Sequence, residues 1–219
     1  MQTHQPATRT ATAGPPAAAV RAAGALLAAG SLAWGTAAAV YGTDTDEVVV
    51  PQEVTGIAYV IGLFALSWTL LATRATGARK GRFLPLPELA LMPLAAAFNV
   101  YAITSLETYD DKLPAWAAVL DASWPLSQLY LLVLGIAVAV AGRWRGLLRW
   151  HPLACALWFI ATVAVQAAFG KDASAWTGAA WLLLVFTSLG LRLALRPADA
   201  LTTAAPTTGE QRGGGADPR

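Results

Sequence analysis

Three amide side chains, Asn99, Gln128 and Gln166, stand inside long apolar runs of this chain. An amide surrounded by hydrocarbon has no water to bond and must find a protein partner. Two chemistries follow. The amides can bond across neighbouring helices as interhelical glue, or they can form a polar cluster that takes a solute. A fourth group, Asp121, is an ionisable residue within apolar surroundings, and such a residue deep in a membrane helix reads as a functional site. Asn99 lies 11 residues beyond Glu88, about 16 Å along a helix and near a bilayer midplane. Gln128 and Gln166 come out about 6 Å below one boundary, a shared depth that permits a hydrogen bond between them.

Familiar catalytic and metal patterns are missing from the sequence. It carries no HExxH, GxSxG or Walker A motif. His4 falls in a polar tail and His151 beside Arg149 at a helix start, so with the single Cys155 they cannot assemble a zinc site. Cys155 itself reads as a small buried hydrophobe. The acids Asp44, Asp46, Glu47, Glu107, Asp110 and Asp111 could meet a divalent cation through oxygen. They lack EF-hand spacing, and a solvated acidic face explains them. No catalytic residue, metal or cofactor is assigned.

The elements that position these groups are membrane spans. Of 219 residues only 13% are charged and 56% are hydrophobic, against roughly 25% charged in a soluble domain. Nine tryptophans suit aromatic belts at two membrane interfaces. The expected fold is an all-α transmembrane six-helix bundle, residues 22–196, with spans at 22–41, 54–73, 88–106, 124–142, 152–170 and 175–193. Low-complexity tails, 1–21 and 197–219, read as disordered. The first span also resembles a signal peptide, with Arg21 before it and Ala37-Ala38-Ala39 near its end, but its charge-free run exceeds the usual h-region and more spans follow. A retained helix is preferred. Pro87 and Glu88 suit the first turn of the third span, where a carboxylate faces the positive end of the helix dipole.

Charge fixes the expected orientation. Thirteen of the 15 basic residues fall on the tails and on the 74–87 and 142–151 loops, while Lys112 and Lys171 alone lie on the other face. Lys and Arg accumulate on the cytoplasmic side, so both termini are expected there, in a plasma-membrane protein whose surroundings are the lipid bilayer. Nothing in this pattern suggests nucleic acid. The stretch 114–142 is too long for one perpendicular span at about 43 Å. Ser123 can cap a helix with Pro125 in its first turn. LPAWAAVL then becomes a short interfacial helix before the fourth span, Trp116 and Trp124 join the aromatic belt, and Asp121 is an interfacial acid. The alternative is one tilted helix kinked at Pro125 with Asp121 about 10 Å deep.

The Ala/Arg/Gly/Pro-heavy composition and the sequence DASWPLS at the fourth span resemble small multi-helix integral membrane proteins of high-GC actinobacteria. The resemblance implies a membrane fold over 86–193 and implies no activity. The leading expectation is a non-catalytic accessory component that binds a membrane-protein partner or a second copy. The alternatives are a small-solute or ion transporter built on Asn99, Gln128, Gln166 and Asp121, and a membrane-embedded enzyme. A cavity reaching Asn99 would favour transport, and a tightly packed interior would favour the partner role.

Overall fold

A computed structural model describes residues 14–42, 47–109 and 111–201. The tail readings over 1–13 and 202–219, and the acids Asp44, Asp46 and Asp110, lie outside the described residues. The chain is helical: α1 (Ala17–Tyr41), α2 (Val50–Ala72), α3 (Pro85–Ser105), α4 (Ala115–Ala141), α5 (His151–Phe169) and α6 (Lys171–Trp181). After α6 the chain continues without a break through a π-helical segment, Leu182–Phe186, into α7 (Thr187–Leu195). Six stretches are long and apolar enough to cross a bilayer, the last being Lys171–Leu195 as a whole.

Several ends differ from the sequence reading. α1 begins at Ala17, after Pro16 in an extended N-cap conformation, and so takes in Arg21. At the other end Pro197–Asp199 forms a 3-10 turn and Ala200 is fully buried, so the start of the expected tail packs on the bundle. The expected separate helix before the fourth span is continuous with it. Pro114 takes the N-cap position, and Ser123 donates its hydroxyl to the Leu120 carbonyl inside the helix. Proline is tolerated within membrane helices because neighbouring groups satisfy the freed backbone, which is how Pro125 comes to lie inside α4.

Helices that follow one another in the chain pack against each other, and the sixth span returns to α1, so the six spans close into a ring. Small residues allow the tightest seams. A Cβ at Gly24 would stand 2.6 Å from the Gly190 carbonyl oxygen, and one at Gly62 2.8 Å from the Leu27 Cα. Backbones that close leave no room for a side chain. The middle of the ring is filled by aromatic rings, both from adjacent helices and from helices on opposite sides of it. Tyr59 of α2 stacks on Trp34 of α1 at 4.8 Å and meets Phe186 of the π segment edge-on at 5.4 Å.

The two ends are built differently. At the end carrying the 74–82 and 143–149 loops, Trp144 is buried and donates its indole N–H to Thr73 Oγ1 at 3.1 Å. The Arg145 amide donates to the Asp199 carbonyl at 3.0 Å, and Arg149 reaches the Ala139 carbonyl at 3.0 Å. This basic end is sealed. His151 ties α5 to the sixth span there. Its Nε2 stands 3.1 Å from the Val185 carbonyl, which also accepts from Ser188 Oγ at 3.0 Å. A π turn bonds i to i+5 and displaces the regular ladder, and these side chains supply partners for a carbonyl within it.

Candidate functional site

At the opposite, acidic end the ring is open. Each span and one loop contribute to a chamber of about 520 Å³: Trp34 from α1, Gln52 and Glu53 from α2, Phe98 and Asn99 from α3, Tyr109 from the loop after it, Trp124 from α4, Trp158 and Gln166 from α5, and Ser174 and Gly178 from α6. Its floor is aromatic. Trp34 lies 5.3 Å from Trp124 and 5.8 Å from Trp158, the planes inclined by 39° and 56°, and Tyr59 stacks behind Trp34 and Trp124. Its rim is polar.

Asn99 is the pivot of the wall. It is buried, its Nδ2 donates to the Glu53 backbone carbonyl at 3.2 Å, and its Oδ1 accepts the Trp124 indole N–H at 2.8 Å. One amide therefore joins α2, α3 and α4. Trp158 donates its N–H to the Gly178 carbonyl at 3.1 Å, and Ser174 Oγ donates to the Thr162 carbonyl at 2.9 Å, which joins α5 to α6. These bonds fix the indoles in place by occupying their donors.

Among the described residues the rim carries one acid, Glu53, in the first turn of α2. The Tyr109 hydroxyl donates to its carboxylate. Burial, and then the hydrogen bond to Glu53, push the Tyr109 phenol above its ordinary range, so Tyr109 stays a donor at any physiological pH. The loop holding Tyr109 is stiffened locally. Asp111 accepts from the Thr108 and Glu107 amides, each at 3.2 Å, and from Thr108 Oγ1. Those amides, Thr108 first, hold the Asp111 carboxyl below the usual carboxylate range. An isolated antiparallel bridge between Glu47 and Thr108, with the Val48 amide donating to the Glu107 carbonyl at 3.1 Å, ties this loop to the one before α2.

Of the four residues expected to gather, two do so. Asn99 and Gln166 both line the chamber. Gln128 is buried in α4 away from it, its Nε2 without a hydrogen-bond partner among the described residues, and no Gln128–Gln166 hydrogen bond forms. Equal depth was the basis for that pairing, but the two amides face different ways. Asp121 is exposed on α4 and outside the lining. The residues that sequence reasoning passed over are Glu53 and Tyr109, taken as loop residues, and Trp124, assigned to the membrane interface. A signal existed for Trp34 and Trp158, which stand well inside their spans and away from either boundary.

A second polar locus lies apart from the chamber. Glu88, in the first turn of α3 as expected, is fully buried, and Ser127 Oγ donates to its Oε1 at 2.8 Å. Its Oε2 has no partner among the described residues. No family model matches the chain, and no curated protein or solved structure is similar to it.

Proposed function

We propose that this polytopic membrane protein takes a small solute into the chamber at its acidic end, as a binding protein or carrier. The observation that carries the reading is a chamber of about 520 Å³ that reaches Asn99 and is walled by all six spans. Pockets of a few hundred Å³ with mostly apolar walls and a few fixed polar groups are the usual form of small-molecule sites. The sealed basic end and open acidic end fit one state of an alternating-access cycle. We place the basic end in the cytoplasm by the excess of Lys and Arg there, with both termini inside and the chamber facing out of the cell. α4 at 27 residues is about 40 Å long, so its first turns, with Asp121, emerge at the outer boundary.

The test uses a cysteine in the wall. Val163→Cys, in the protein embedded in vesicles, should react with a charged methanethiosulfonate, whereas native Cys155, fully buried, should not. A solute that binds should slow that reaction and raise the unfolding temperature by mass action. Gln166→Leu, a rim residue with no hydrogen bond to lose, should reduce both effects. An unreactive Val163→Cys would remove the reading.

A second reading, an accessory subunit that binds a membrane-protein partner or another copy, draws support from α5. Only 17% of its span is buried, the least of the six, and Leu157 and Ile160 lie on its exposed flank. A photo-crosslinker at Ile160 that captures only lipid would count against it.

A further inference from the structure

We infer that the solute is a small organic cation, a tertiary or quaternary ammonium, held by the Trp34, Trp124 and Trp158 indoles and the Glu53 carboxylate. This rests on the solute-binding reading of the same chamber and names its ligand class. Charge comes first. Among the described residues the lining contains a single carboxylate, Glu53, and no Lys, Arg or His. A carboxylate partly withdrawn from water seeks a counter-charge, and here its protein partner is a neutral phenol. The chamber thus supplies a negative charge and leaves the positive one to the ligand.

The aromatic floor points the same way. Indole faces carry the negative lobe of the ring quadrupole, and tryptophan is the strongest cation–π partner. Three indoles with centroids 5.3 and 5.8 Å apart and planes inclined by 39° and 56° form an angled group in place of a flat stack. Indole N–H groups could instead serve an anion. Two of these are already spent, Trp124 on Asn99 and Trp158 on Gly178. What the floor offers a ligand is chiefly ring surface, with the Trp34 N–H as the third indole donor. A bare metal ion would need several free oxygen ligands, whereas the Asn99 carbonyl and one Glu53 oxygen are already engaged. An alkylated ammonium needs none. The exposed acids Glu107 and Asp111, on the loop that carries Tyr109, raise the local cation concentration at the mouth.

The experiment compares choline and benzyltrimethylammonium with 3,3-dimethylbutan-1-ol, the uncharged carbon analogue of choline, on the full-length protein in lipid nanodiscs. Binding is read by quenching of indole emission and by thermal shift. Both ammonium compounds should bind at least about tenfold more tightly than the alcohol. Glu53→Gln keeps the oxygen that accepts from Tyr109. It should weaken the ammonium compounds by about tenfold and leave the alcohol unchanged. Glu107→Gln, outside the chamber, should alter neither by more than the effect of added salt. Equal binding of alcohol and choline, or no binding of either ammonium to a protein whose Val163→Cys form still reacts, would overturn the cation assignment while the chamber stood. Reproduction of the choline response by sodium or potassium chloride would overturn it in favour of inorganic ions. An unreactive Val163→Cys would fail the solute reading itself.

Discussion

Asn99 was legible in the sequence because an amide in the middle of an apolar run has few explanations. Its partners were not, since Glu53 and Trp124 are 46 and 25 residues away and only folding brings them to it. The same limit hid Ser127 as the partner of Glu88, 39 residues apart. Glu88 was read correctly as a first-turn acid, but local spacing says nothing about burial from a neighbouring helix. That pair permits a sharp prediction. Ser127→Ala would leave both Glu88 oxygens unpartnered, at a cost of about 1–3 kcal/mol, read as a fall in unfolding temperature. Adding Glu88→Met to Ser127→Ala should recover most of the loss, because an apolar pair leaves no buried group unsatisfied. A double variant less stable than Ser127→Ala would refute the assignment.

Among the elements, apolar run length located six spans, because a bilayer-length stretch without charges is a strong signal. It misplaced their ends, because helices extend past the hydrocarbon-length core of each run: α1 back to Ala17 and α4 back to Ala115. The loops were the least legible. A two-residue bridge between the segments at Glu47 and Thr108, and an aspartate closing its own turn, leave no periodic trace. Asp111 makes that loop acid-sensitive. Its pKa is depressed in the folded chain, so its contribution is present above the ordinary carboxylate pKa and is lost as pH falls through the lowered value. The protection of the Glu107 and Thr108 amides, their exchange measured against the intrinsic rate at each pH, should therefore fall at strongly acidic pH. Asp111→Asn should show lower protection than the native chain already at neutral pH, and acid should change that protection less. An identical pH profile in the two proteins would rule this out.

At the scale of the whole molecule, the sequence revealed the sorting of charge but not the difference in packing between the ends. Trp144, a tryptophan in a basic loop, would ordinarily be assigned to the interface, yet it closes the bundle. Orientation remains the property that decides what the chamber can meet. In intact cells an impermeant maleimide should label Lys112→Cys and should reach Ala78→Cys only after permeabilisation, both sites being exposed. Reverse labelling would turn the chamber toward the cytoplasm. The ring has one more consequence. α1 and α7 are neighbours, and the turn at Pro197–Asp199 touches α1, so the beginning and the end of the bundle meet at the sealed face. The order in which the spans are threaded is then separable from the way they pack. A circular permutant joining 201 to 14 and cut between Ala78 and Arg79 would keep every seam, both new termini emerging on the same side as the old.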